Sequence, residues 1–189
     1  MIYLASTSPR RKTLLKQHGI IFKMVRPNYD ESNDSNLSPA RLVKKHAFEK
    51  GKSCVRFVKN GVILAADTIV FLKREVIGKP KNRKDAVRML KKLQGRWHRV
   101  YTGVALIQVH LGKIKRKNVF FEFTQVKLKP MSIKDIRRYF RNINPLDKAG
   151  AYAIQSKKSN IIAEVKGSLT NAIGLPIGAV LKECRNLKK

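Results

Sequence analysis

The residue most in need of a chemical reason is Asp67. It stands inside Val-Ile-Leu-Ala-Ala-Asp-Thr-Ile-Val-Phe-Leu at residues 62–72, a continuous apolar run of the kind that forms a strand buried on both faces. A carboxylate in such a strand loses its hydration unless a cation or hydrogen-bond donors replace it. Only 12 of the 189 residues are acidic, so the placement points to a general base or a metal ligand, or else to an Asp that ends the strand and turns the chain. Ser6-Thr7-Ser8-Pro9-Arg10-Arg11 gathers hydroxyls, backbone N–H groups and two guanidinium groups where a strand gives way to a helix, a combination suited to phosphate. It lacks the Gly-x-x-x-x-Gly-Lys pattern, which excludes a P-loop. Lys79, between Gly78 and Pro80, can meet phosphate as a point charge or simply occupy a turn. Gln155 carries both a donor and an acceptor and can read a base edge. His98 has no nucleophile pattern beside it and reads as structural.

The elements that must position these groups follow from periodicity and caps. Ile2 to Ala5 forms a first strand, and Ser8 with Pro9 opens a helix carrying Leu14 and Leu15 inward and ending at Gly19. Phe22 to Arg26 is a second strand. Residues 27–36 form a polar loop whose acids, Glu31 among them, read as solvated. Ser38-Pro39 repeats the cap signature and starts a helix running to about Cys54, with Lys50 near its end. After the central strand, Lys73-Arg74-Glu75 turns the chain into Val76-Ile77. Asn82 caps a helix over Arg83 to Leu93, and a strand reaches Val109. Val119 to Leu128 is a further strand, Ser132 opens a capping box for a helix to Phe140, Ile161 to Val165 is the last strand, and Pro176 starts the C-terminal helix.

Composition bounds the rest. At 189 residues and 43% hydrophobic, the chain is expected to form one folding unit over 1–189. Forty-two Lys and Arg give a formal charge of +30, spread along the whole length and attractive to polyanions, so non-specific affinity for nucleic acid is expected. Cys54 and Cys184 belong to no metal or disulfide spacing, as befits reduced thiols in a cytoplasm. No apolar run approaches a membrane span, and no membrane association is expected.

Six stretches occur in a telling order: Leu4 to Arg11, Ala66-Asp67-Thr68, Gly78-Lys79-Pro80, His98 to Gly103, Asp147 to Tyr152 and Gly174-Leu175-Pro176. Together they resemble the Maf family of nucleoside triphosphate pyrophosphatases. The resemblance implies an α/β fold, an elongated two-lobed mixed β-sheet with flanking helices like that of inosine triphosphate pyrophosphatases, with the cleft between the lobes. It also implies a cytoplasmic homodimer using a divalent metal, Mg2+ or Mn2+. Asp-Lys-Ala-Gly-Ala-Tyr-x-Ile-Gln at 147–155 is similar to the branch acting on dTTP and UTP. Carried over by motif, the proton acceptor falls on Asp67, and the specificity positions on Arg10, Thr68 and Gln155. Phosphate binding falls on Ser6, Arg11, Lys50 and Lys79, and metal binding on Asp67 with Glu31. Ala65 and Ser156 stand where the family often has glycine, and their extra atoms are expected to tighten the pocket. Two other readings are a basic nucleic-acid-binding regulator, related to cell division, and a pyrophosphatase selective for modified pyrimidine nucleotides.

Overall fold

The computed structural model describes residues 1–31, 37–154 and 161–187. The strands are β1 (Ile2–Ala5), β2 (Phe22–Val25), β3 (Gly61–Leu72), β4 (Glu75–Ile77), β5 (Trp97–His110), β6 (Lys113–Leu128) and β7 (Ile162–Lys166). The helices are α1 (Pro9–Gln17), α2 (Pro39–Lys52), α3 (Arg83–Leu93), α4 (Ile133–Asn142), α5 (Leu169–Ile173) and α6 (Ile177–Asn186). Among the described residues the strands form one seven-stranded mixed sheet in the order β2-β1-β3-β5-β6-β7, with β4 paired to β3. β1 is parallel to both β2 and β3, whereas β4 and β7 run antiparallel to their partners.

The caps hold where their side chains can reach. Ser38 accepts from the Arg41 N–H, Asn82 from the Asp85 N–H, and Ser132 with Asp135 closes a full capping box. Ser8 occupies the N-cap of α1 without a side-chain cap bond, and its own N–H donates to Ser6 Oγ instead. β6 begins at Lys113 rather than Val119, and the five-residue α5 carries no sequence periodicity that would announce it. The turn between β3 and β4 is two residues, Lys73 and Arg74, because Glu75 already pairs with Leu72.

The chain packs as two compact units. The first comprises Met1–Thr68, Thr102–Glu122 and Gly174–Lys189, and the second Ile69–Tyr101 and Phe123–Ile173. In the first, Ala5, Ala47, Ile63, Ala65, Ala105 and Ile107 form a core of mostly small side chains. In the second, Leu90, Leu93, Leu128, Ile136 and Tyr139 build a bulkier one. No helix among the described residues is long and apolar enough to cross a membrane.

The connections of the first unit create a topological switch point. α1 carries the chain from β1 out to β2, and α2 carries it back past β1 to β3. Right-handed crossovers in opposite directions put the two helices on opposite faces of the sheet, and the order reverses between β1 and β3. Such a switch point, beyond the carboxyl ends of the parallel strands, is where open α/β sheets bind ligands. The β1–β3 register ends at Ala5 opposite Ala65, so Ser6 and Asp67 lie just past it.

Candidate active site

Along β3, side chains alternate between faces. Ile63, Ala65 and Asp67 share the face beneath α2, and Thr68 points to the α1 side. Close approach of α2 to the sheet is built from glycine. A Cβ on Gly103 of β5 would lie 2.2 Å from the Val43 carbonyl oxygen, and one on Gly51 would lie 2.8 Å from Ile107 Cδ1 and 3.3 Å from the Ala65 methyl. Ala65 is fully buried, so its methyl serves the contact with α2.

That contact sets the end of α2 over Asp67. Lys50 Nζ donates to Asp67 Oδ1 at 2.6 Å and lies 2.6 Å from Glu31 Oε1. Lys50 and Asp67 are 7% and 4% exposed, whereas the Glu31 side chain is 41% exposed, so the triad runs from the interior to solvent. One turn back on the same helix face, buried His46 shares a 2.9 Å hydrogen bond between Nδ1 and the Tyr29 hydroxyl. Burial lowers the His46 pKa, the charge of Asp67 opposing it and that of Lys50 adding to it, and burial raises that of Tyr29, helped by Glu49, Asp67 and Glu31. Both groups are therefore neutral near pH 7, and one hydrogen bond joins the phenol oxygen to the imidazole Nδ1.

On the other face the Arg11 guanidinium is tied at three nitrogens. Nε donates to the Gly174 carbonyl at 2.8 Å, Nη1 to Ser6 Oγ at 3.3 Å and Nη2 to Thr68 Oγ1 at 3.1 Å. Thr68 in turn shares a 3.0 Å bond with Thr102 Oγ1. Burial lowers the Arg11 pKa; Asp67 counters this, Arg10 adds to it, and Glu31 counters it again. These four charges thus occupy one electrostatic neighbourhood.

Of the residues expected from sequence, the fold brings together Ser6, Arg10, Arg11, Glu31, Lys50, Asp67 and Thr68 within the first unit. Lys79 belongs to the second unit, where it is exposed on the loop after β4. Gln155 and Ser156 lie outside the described residues. Sequence reasoning missed Tyr29 and His46; the one signal for His46 is its position four residues before Lys50, on the face that carries Val43 and Ala47. His98 is buried, with Nε2 2.7 Å from the Tyr152 hydroxyl, as a structural histidine should be.

The donor chemistry suits a hard divalent cation. Two carboxylates converge on one point, held here by the Lys50 ammonium, and Mg2+ is commonly taken through one or two carboxylates with phosphate oxygens and water completing the shell. Among the described residues no group of three or more His, Cys, Asp or Glu side chains could hold a metal without such help.

A family model described as "Maf-like protein" matches residues 1–187. A relative from Dictyoglomus thermophilum named dTTP/UTP pyrophosphatase is 42% identical over 177 residues, covering 93% of this chain and 90% of its own. One of the same name from Acetivibrio thermocellus is 43% identical over 184 residues, with 94% and 90% covered. Among solved structures, the Ham1 protein of Staphylococcus aureus is similar in fold, with a TM-score of 0.52 at 13% identity, covering 100% of this chain and 99% of that one.

Proposed function

The chain belongs to the Maf-like protein family, and we propose that it is a nucleoside triphosphate pyrophosphatase acting on dTTP and UTP. Water attacks the α-phosphorus; the new P–O bond forms as the bond from that phosphorus to the α–β bridging oxygen breaks. The products are the nucleoside monophosphate and pyrophosphate. The observation that carries the reading is the buried Asp67 carboxylate at the switch point, paired through a single oxygen with Lys50. Lys50 takes Oδ1, so Oδ2 is the oxygen that receives the proton of the attacking water. Lys50 also fixes the carboxylate rotamer. Its contact with Glu31 links Asp67 to the solvent-facing side, where substrate arrives.

Arg10, Arg11 and the α1 N-terminus set positive charge against the triphosphate. Arg11 reaches this task pre-oriented, since Gly174, Ser6 and Thr68 hold its plane. Thr68 therefore acts on specificity through the guanidinium it positions. Asp67 and Glu31 would hold a divalent cation, whose chemical contribution is charge compensation on phosphate oxygens.

The test is pyrophosphate release from canonical and modified nucleoside triphosphates with Mg2+ or Mn2+, wild type beside Asp67→Asn. Turnover selective for dTTP and UTP, reduced about 10²- to 10⁴-fold in the variant, is expected. Near-normal turnover by a variant with unchanged circular dichroism would remove Asp67 from the role of base. Preference for a modified pyrimidine would move the substrate assignment and leave the reaction in place.

A further inference from the structure

The second unit holds a cavity of about 410 Å3 that the pyrophosphatase reading does not use. Lys73, Arg74, Arg96 and Arg99 line it with four exposed cations, and among the described residues no carboxylate lines it. Glu75, the nearest acid in sequence, is paired with Lys92. Between the cations lie two half-buried aromatic rings, Phe71 and Trp97, and the Gln125 amide. Phe71 packs edge-on against Tyr101 at 6.0 Å between centroids. Lys166 holds its ammonium group 4.8 Å from the Trp97 ring, adding a further cation at the same place, whereas Lys127, 6.0 Å from that ring, is paired with Glu164.

The backbone supplies an independent reason to treat the cations as selected for binding. Lys73 and Arg74 are the two central residues of the β3–β4 hairpin, with φ of +47° and +68°. Both positions favour Asn and Gly in a two-residue hairpin, and long side chains there are strained. The turn has given up its best residues for two charges that point at the cavity.

We propose that this cavity binds single-stranded nucleic acid, one base stacking on Trp97 and the flanking phosphates meeting Arg74, Arg96, Arg99 and Lys73. Flat aromatic faces within a cationic groove serve single strands of any sequence, because every base has a π-face. An amide such as Gln125 reads a base edge without regard to charge. A strand, which supplies a charge at every phosphate, answers cations carried on separate segments of chain better than a mononucleotide does. The inference does not depend on the pyrophosphatase reading.

Trp97 is the only tryptophan in the chain, which makes its fluorescence a direct probe. The full-length protein is titrated with a twelve-nucleotide oligouridine, with the same sequence as a duplex, and with UMP, over a range of salt. Binding of the single strand with quenched fluorescence is expected, tighter than for the duplex or UMP. The paired substitution K73N/R74G removes two charges while relieving the turn. It is expected to raise the melting temperature, weaken oligonucleotide binding at least about tenfold, and flatten the log–log salt slope by about 1.4, at about 0.7 per lost phosphate contact. Its pyrophosphate release should match wild type. Binding without quenching, equal affinity and salt slope in the variant, or UMP quenching Trp97 at the same concentration as the strand would each overturn the proposal; the first two would assign the affinity to diffuse surface charge.

Discussion

Replacing Lys50 by Met tests whether one ammonium holds the site together. The substitution keeps the length and packing of the stem and removes the charge that two carboxylates share. Asp67 Oδ1 and Glu31 Oε1 each lie 2.6 Å from Nζ, so they stand no further apart than twice that distance. At an effective dielectric of about 20, their repulsion at that limit is about 3 kcal/mol. Glu31 can relax, because its side chain is 41% exposed, but Asp67, with 6% of its side chain exposed, cannot. Breaking a buried pair by removing one member costs about 3–5 kcal/mol, and the mobility of Glu31 places Lys50→Met near the lower end. For a chain of this size about 3 kcal/mol is a fall of roughly 6–12 °C in melting temperature. Urea denaturation at constant m-value gives the free energy, and the double variant Lys50→Met/Asp67→Asn should recover most of it. Mg2+ should stabilise Lys50→Met more than wild type, since the vacated point between the carboxylates admits a divalent ion. With ion at about ten times its dissociation constant, the gain is about 1.4 kcal/mol. A Lys50→Met protein within about 0.5 kcal/mol of wild type, or no recovery in the double variant, would refute the coupling.

Acid should act through His98. Its folded pKa is pushed down to about 4 by burial, with the Arg96 backbone working the other way. The ordinary value is 6.5, so the unfolded chain takes the proton first: stability is complete above about pH 6.5 and falls as pH drops towards 4, by about 3 kcal/mol at about 1.4 kcal/mol per pH unit. Urea titrations should show the gap between wild type and His98→Gln shrinking by that amount from pH 7 to pH 4, and a constant gap would refute it. Gly103→Ala should destabilise by about 3 kcal/mol or more, because its methyl would enter the Val43 carbonyl at 2.2 Å, backbone that cannot swing aside. Thermal melting in parallel with pyrophosphate release reads this variant, and a melting temperature within about 2 °C of wild type would refute it.

What the sequence disclosed depended on whether a residue's role was local. Asp67 announces itself, since a carboxylate in an apolar run breaks the pattern around it. Ser38, Asn82 and Ser132 do so too, because a cap bond spans only three residues. Arg11 is legible as a cation near a helix start, yet its bond to the Gly174 carbonyl joins positions 163 apart and no local pattern encodes it. Lys50 enters from the family resemblance alone, because a lysine late in a helix reads as solvated until the helix is seen against the sheet. The first residues of β6 were hidden for the opposite reason. Lys113, Lys115, Arg116 and Lys117 lack the apolar alternation that marks a strand, and strand formation there comes from its neighbours in the sheet.

The chemistry and the packing of the first unit are one construction. Val43, His46, Ala47 and Lys50 follow helical spacing, so the stripe of α2 that buries apolar surface is also the stripe that carries the ammonium. Its distance from the sheet is fixed by what is missing at Gly51 and Gly103 and by the small methyls of Ala47 and Ala65. A larger side chain at any of these would lift the helix, and a lift of even one ångström would open the 2.6 Å contact between Lys50 and Asp67 beyond hydrogen-bonding length. Lost packing would then appear as lost turnover before it appeared as unfolding. The two glycines accordingly set the geometry of the Lys50–Asp67 pair, although neither touches it.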